Sequence, residues 1–414
     1  MTFRQAEEYL LGLELFGMRF GLDRMHRLMT VLGLPQRRFA SIHVVGSNGK
    51  SSTVRFIAAI LERHGLRTGS YTSPHLSSFR ERIEVGEEPV SEAAFAAAVE
   101  RAAHAAELVD RTAEPDDRVT QFEALTAAAY HALARERVEV AVIEAGLGGR
   151  YDATNVIPSK VQVLTGVSLE HTRWLGPTLA DIADEKLAVV PDRGTLVAGE
   201  LDPESLGVAE RVAAERHAQL VRPGAAGGEL PLRAAGGFQR GNFALAATAA
   251  EAFLGRPLDR PAVEAAAAET VVPGRLEVVA ERPLTVLDGA HNPSGARALA
   301  ASLEAVLGER RPRVAVIGVL DDKDAAGMLE ALLPHVDRVV FTRSQNPRSL
   351  SPGTLTTLEE KLGGPPAETV ADPRAALERA RELAGAEGSV VATGSIYLIA
   401  DLVREPADRR ASTL

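Results

Sequence analysis

The sequence predicts an α/β protein built from two doubly wound units. Three observations carry that expectation. Short apolar runs alternate with helix-periodic stretches along most of the chain, the pattern of parallel strands covered on both faces. A glycine-rich turn, "HVVGSNGKSST" at 43–53, lies between one such run and one such helix. The alternation breaks at "VVPGRLEVV" (271–279) and then resumes, which divides the 414 residues into domains at 1–272 and 273–414.

In order, "SIHVVG" (41–46) reads as a buried strand, and Ser51 to His64 as a helix closed by Gly65 as C-cap. "RTGSYTS" is a second strand ending in a turn at Pro74. A helix over Phe122 to Glu136 leads into the strand "VEVAVIEAG" (138–146). The apolar run "KVQVLTGV" (160–167) precedes a segment dense in polar groups, 168–187. Residues 222–237, "RPGAAGGELPLRAAGG", read as a loop or loose hairpin, and 240–270 as helix-rich. Apolar runs at 284–288, 313–319, 338–342 and 389–392, with helical patterns such as 295–307 and 373–384 between them, make the second unit. The tail from 405 to 414 reads as frayed.

Composition narrows the function classes. The chain is 45% hydrophobic and 25% charged, as globular proteins are. A net charge of −10 argues against nucleic acid, whose phosphates select basic faces, but leaves room for a local basic pocket. The absence of cysteine excludes disulfides, thiolate metal sites and cysteine nucleophiles. No signal-peptide pattern and no membrane-length apolar run are evident, so the expectation is a cytoplasmic protein with no membrane partner. Five lysines stand against 41 arginines among 46 basic residues, so each lysine in a motif invites a reason.

The turn at 46–50 is two residues shorter than the common G-x-x-x-x-G-K-[ST] loop. Backbone N–H groups there can approach phosphate oxygens, with the helix N-terminus aimed at their charge. Lys50 would meet the β- and γ-phosphates, and Ser51 or Ser52 would offer a hydroxyl to Mg²⁺. The alternative is an ordinary strand–helix turn with a solvated lysine. Glu144 ends a strand before a glycine-rich loop, where open α/β sheets bind ligands and a carboxylate suits Mg²⁺. His171 follows another strand and Lys186 lies in a helix. Each is weak alone; their shared place at successive strand ends is stronger.

Together, "GSNGKSS", "TSPHL", "ERI", "QFEALT", "IEAGLGGRYDATN", "EHTRWLGPTLADIADEK", "GNFALAA", "PGRLEVV", "LDGAHNP", "GVLDDKD" and "ATGS" resemble, in order, the folylpolyglutamate and dihydrofolate synthases, the folate branch of the Mur ligases. The resemblance covers nearly the whole chain. It implies a P-loop-containing Mur-ligase-type central domain and a Rossmann-like C-terminal glutamate ligase domain. It implies an ATP-dependent ligase that adds L-glutamate to dihydropteroate, reduced folates or both, through an acyl phosphate. By the same resemblance Gly49, Lys50, Ser51 and Ser52 would bind ATP phosphates, and Asn242, Arg275 and Asp288 the nucleotide. Ser73, Glu144, His171 and Lys186 would ligate Mg²⁺ at two sites, with Lys186 N-carboxylated. Thr120, Gln121, Phe122 and Glu123, with Tyr151, Asp152 and Ala153, would line the pterin-side pocket. His291 and Ser395 would face the glutamate, or else serve as turn and helix-cap residues. Lys50, His171 and Lys186 would be the catalytic set. Two departures stand out: Glu170 where the family writes aspartate, and "EKLAV" where it writes "EKAGI".

Three other readings remain. A cell-wall precursor ligase would carry a further α/β domain ahead of the phosphate loop. A P-loop kinase or NTPase would leave the second unit and the 168–187 segment without a role. A non-catalytic nucleotide binder would be expected to lack a metal ligand. A monomer is the default expectation.

Overall fold

The structure, a computed structural model, describes residues 1–14, 21–114, 117–224 and 230–404. The expected frayed tail lies outside them, as does part of the expected loop at 222–237. The chain divides into two compact units, Met1–Pro231 with Gly241–Thr270, and Leu232–Arg240 with Val271–Leu414.

The first unit begins with α1 (Phe3–Leu11), which Thr2 and Gln5 start with a capping box, and α2 (Asp23–Val31). Then come β1 (Ala40–Val45), α3 (Lys50–Arg63), β2 (Thr68–Tyr71), β3 (Ile83–Val85) and β4 (Glu88–Pro89). They are followed by α4 (Glu92–Asp110), α5 (Gln121–Arg135), β5 (Val140–Glu144) and β6 (Val161–Leu164). The short α6 (Thr172–Leu175), α7 (Leu179–Leu187), β7 (Thr195–Ala198), α8 (Pro203–Glu215) and β8 (Gln219–Val221) complete the alternation. Further helices are α9 (Gly237–Leu254), whose residues 237–240 belong to the second unit, and α10 (Arg260–Glu269).

The eight strands run in the order β4-β3-β2-β5-β1-β6-β7-β8. β1 lies mid-sheet, parallel to β5 with Val44 opposite Glu144, and parallel to β6 with Val45 opposite Leu164. One edge departs from the expected parallel pattern, because β3 pairs antiparallel with both β2 and β4. Gly86 (φ 60°) and Glu87 (φ 68°) join β3 to β4, and a two-residue turn of that kind permits only a hairpin. Gly65 stands one place beyond the helix cap, which is His64; its φ of 86° lets the chain leave α3 sharply.

The second unit contains β9 (Glu277–Glu281), β10 (Leu284–Leu287), α11 (Pro293–Leu307), β11 (Arg313–Ile317), α12 (Ala325–Leu332) and β12 (Arg338–Phe341). It ends with α13 (Pro352–Leu362), β13 (Ala367–Thr369), α14 (Pro373–Ala384), β14 (Ser389–Thr393) and α15 (Ile396–Val403). Strand order is β13-β12-β11-β14-β10-β9, parallel except for β9 against β10. The 271–279 segment, expected as a junction, therefore also contributes the start of an edge strand. Leu299 and Leu303 of α11 and Met328 and Leu332 of α12 pack with Ile317, Phe341 and Val391 of the sheet. Apolar side chains on one helical face removed from water supply the main force holding this layer.

Candidate active site

β2, β5, β1 and β6 are neighbours, so the loops at their carboxyl ends adjoin. The loop after β1 has its shape dictated by two glycines. Gly46 has φ 147°, and a Cβ there would lie 1.9 Å from the Thr165 hydroxyl; at Gly49 (φ 83°) it would lie 2.5 Å from the Asn242 amide oxygen. Only glycine fits either place. No side chain caps α3, which leaves its first N–H groups for a ligand at that end. The Lys50 ammonium donates to the carbonyls of Gly46 (2.9 Å) and Ser47 (3.2 Å). Ser47 and Asn48 tie the loop to the segment after β6: Ser168 N–H donates to the Ser47 hydroxyl (3.0 Å), and the Thr165 hydroxyl to Asn48 O (2.6 Å).

Glu144, buried at the end of β5, accepts from the Ser51 hydroxyl (3.0 Å) and from the backbone N–H of Ser73 (3.2 Å). Ser52 is buried beside Ser51 in the first turn of α3. Lys186, on α7, is 1% exposed; its ammonium donates to Gly46 O (3.0 Å) and Glu170 Oε1 (3.1 Å). Burial pushes the Lys186 amine below its ordinary range, while Glu170 opposes that shift. Burial would raise Glu170, but Lys186 first, then Lys50 and His171, hold it down at about 2. The two shifts pull in opposite senses, and direct hydrogen bonding decides in favour of an ion pair at neutral pH. His171 is half-buried at the N-cap of α6 with φ 48°.

Among the described residues, no three His, Asp or Glu side chains form a ready-made metal cluster. What is present fits Mg²⁺ in another manner. The ion prefers oxygen and is commonly held by one or two carboxylates plus the phosphates of a substrate. The Glu144 carboxylate beside the Ser51 hydroxyl, one residue from Lys50, is such a donor set.

Three of the four "TQFE" side chains have hydrogen-bond partners within the protein. Thr120 caps α5, Gln121 donates to Leu10 O at the end of α1 (2.7 Å), and Glu123 accepts a two-pronged bond from Arg24 of α2 (3.0 and 3.1 Å). Phe122 alone is turned to the glycine loop, where a Cβ on Gly146 would lie 2.5 Å from its ring. Asp152 is buried and accepts from the N–H groups of Leu147 (2.8 Å) and Thr154 (2.9 Å), which shapes the same loop. Ala153 is buried next to it, whereas Tyr151 is exposed.

In the second unit, Asp288 is buried at the end of β10 and accepts from Leu276 N–H (3.0 Å) and Ala290 N–H (2.8 Å). Burial raises its carboxyl and Arg275 opposes the rise. The Arg275 guanidinium lies over Gly289, where a Cβ would be 2.2 Å from it. His291 Nδ1 is 2.9 Å from Gly289 O. The Ser395 hydroxyl, buried, accepts from Tyr397 N–H at the start of α15, as a helix cap does.

Sequence reasoning assigned no role to Arg24, Ser47 or Thr165, and noted Glu170 only as a departure. Ser47 and Thr165 carried a signal, being polar residues two places after buried β1 and directly after buried β6; Arg24 carried none, since its partners lie far along the chain. Arg24→Met would leave Glu123 buried without its cation. A loss of about 3 kcal/mol or more in unfolding free energy is expected from urea titration, against near-neutrality if the pair were a surface one.

Three comparisons bear on this geometry. Residues 274–396 match the family model for the Mur ligase, glutamate ligase domain. The chain is 38% identical over 382 residues to the dihydrofolate synthase/folylpolyglutamate synthase of Mycobacterium tuberculosis, covering 83% of this chain and 78% of that protein. A solved structure of Mycobacterium tuberculosis folylpolyglutamate synthase complexed with ADP is similar at TM-score 0.89 and 34% identity, over 98% of this chain and 99% of the other. E. coli FolC in complex with DHPP and ADP is similar at TM-score 0.85 and 31% identity, over 97% and 96%. A two-unit α/β fold, a phosphate loop with an adjoining carboxylate, and near-complete likeness at these identities agree: the chain belongs to the dihydrofolate synthase/folylpolyglutamate synthase family of ATP-dependent ligases.

Proposed function

We propose that this chain joins L-glutamate to dihydropteroate and to reduced folates, using ATP and Mg²⁺, by way of an acyl phosphate. The observation that carries this is the meeting of the Lys50 loop, the Ser51–Glu144 pair and the Lys186–Glu170 pair at neighbouring strand ends. The substrate classes are those named for the 38%-identical relative and for the DHPP and ADP complex.

In the first step a substrate carboxylate oxygen attacks the γ-phosphorus and ADP leaves. In the second the α-amino group of glutamate attacks the acyl carbon, expelling phosphate and losing a proton. An anion approaching a polyanion must be offset by positive charge. Lys50 exchanges its carbonyl partners for phosphate oxygens, and the N–H groups of Gly49 to Ser52 at the uncapped start of α3 donate alongside it. Ser51 and Glu144 would hold Mg²⁺, with Ser73 and His171 nearby, and Lys186 would join them as a carbamate only after giving up its ammonium proton and its bond to Glu170; the ion would supply further neutralisation of phosphate charge. Phe122 and the 151–153 turn hold the aromatic part of the carboxylate substrate. Asn242, Arg275 and Asp288 are proposed nucleotide contacts, and His291 and Ser395 glutamate contacts. The reading carries with it a monomer working in the cytoplasm.

The test is ADP release with MgATP, glutamate and either dihydropteroate or tetrahydrofolate. Glutamate-dependent release with both establishes the bifunctional reading, and with one alone it selects that activity. ADP release indifferent to glutamate would point instead to a P-loop NTPase, and glutamate dependence with neither folate to a ligase of another carboxylate.

A further inference from the structure

His43 is fully buried on β1, three residues before the phosphate loop begins, and its Nε2 lies 2.8 Å from the Thr154 hydroxyl. The direction of that bond follows from the atoms beyond it. Asp152 Oδ1 accepts the backbone N–H of Thr154 (2.9 Å), Oδ2 accepts that of Leu147 (2.8 Å), and Gly146 N–H adds a third. A carboxyl whose two oxygens both face N–H donors is held as an acceptor by that geometry, although burial outweighs those donors and leaves the Asp152 pKa above its ordinary value. The Thr154 hydroxyl, 2.5 Å from Asp152 Oδ1, therefore spends its one proton there. It must then accept from His43, which places the imidazole proton on Nε2. Consistent with that, Nδ1 has no hydrogen-bond partner: a buried lone pair is tolerated better than a buried orphan N–H. Burial also keeps the ring neutral, its pKa lowered to about 3.

We propose that His43 is a positioning residue for the carboxylate-substrate site, setting the 146–152 turn through the chain His43 Nε2–H, Thr154 hydroxyl, Asp152 carboxylate. The turn is the seat of the Phe122 ring and carries Tyr151, with Ala153 directly after it. A second strut acts on the same residue, since the Tyr130 hydroxyl donates to Thr154 O (2.9 Å). That fixes the backbone of Thr154 and leaves the hydroxyl rotor to His43. The role at the substrate rests on the proposed function; the proton chain does not.

The test uses the full-length protein. Imidazole ¹⁵N spectra are expected to show His43 neutral and protonated at Nε2 from pH 5 to 8. An Nδ1–H form would mean that Asp152 is protonated and the chain runs the other way, and would overturn the proposal. Gln reaches the Nε2 position with an N–H and Asn does not, so His43→Gln and His43→Asn are the working pair, with His43→Phe as the apolar control. Backbone amide resonances of Gly146 to Asp152 are expected to move in His43→Asn and His43→Phe but not in His43→Gln. The KM for the folate-type substrate is expected to rise about tenfold in the first two, with KM for ATP and glutamate unchanged and His43→Gln close to the parent. Equal behaviour of Gln and Asn, or all three KM values moving together, would reduce His43 to a packing residue. If no folate-type substrate turns over, the proposed function fails while the spectra and amide shifts still decide the chain.

Discussion

Replacing Lys50 with methionine is expected to lower kcat by about a thousandfold while leaving the fold intact. Among the described residues the ammonium hydrogen-bonds to carbonyls of its own loop, and it adds its charge to those that hold Glu170 down, so its removal costs the free protein little, about 1 kcal/mol. With the ammonium facing developing phosphate charge, as proposed, losing that donor would cost two to three orders of magnitude, roughly 3–4 kcal/mol. Lys50→Arg is expected to rescue little, because a planar fork does not replace a compact point charge in a tight turn. Glutamate-dependent ADP release measures the loss and a urea midpoint checks the fold. A loss under tenfold, with nucleotide affinity unchanged, would remove Lys50 from the γ-phosphate.

Lys186→Met is expected to remove activity and stability together. Glu170 would be left buried with no counter-ion, which costs about 3–5 kcal/mol. Adding Glu170→Met removes the stranded charge, so the double variant is expected to regain most of the stability and none of the activity. That split separates the pair's structural duty from its chemical one. Acid titration gives a second readout. Glu170 has its pKa lowered on folding, so its contribution is fully present above about 4.5 and drains away as pH falls toward about 2. Lys186 works against this, since burial disfavours its charged form. Melting temperatures of the parent and Glu170→Gln are therefore expected to converge below pH 4 and to diverge above pH 5. Parallel curves across that range would show that the pair is not charged.

The phosphate loop was legible because its information is local: a strand, two glycines at positions of positive φ, and a lysine entering a helix are read within ten residues. The same holds for α14, whose predicted span of 373–384 matches the helix found. The β3–β4 hairpin was not expected, although "EVGEE" contains its turn, because strands of three and two residues are too short to show a period. The anchors of "TQFE" were hidden for another reason. Gln121 and Glu123 meet partners 111 and 99 residues away, on helices whose packing no local pattern announces. Glu170 was visible as an unusual residue, but its bond to Lys186 arises only when the segment after β6 folds back over α7.

The borders of the two sheets govern how copies of this protein meet at high concentration. A strand at a border exposes a row of unused backbone donors and acceptors, which another chain can extend. Three of the four borders are too brief to template a neighbour: β4 has two residues, one of them Pro89, and β8 and β13 have three each. β9 is different, with five residues and the exposed side chains of Val278 (49%) and Val279 (43%) between Glu277 and Glu281. Its flanking carboxylates would face their own kind in an antiparallel pairing and repel. Edge-to-edge self-association is thus confined to one short strand and opposed there by charge, a restraint that weakens with added salt or acid.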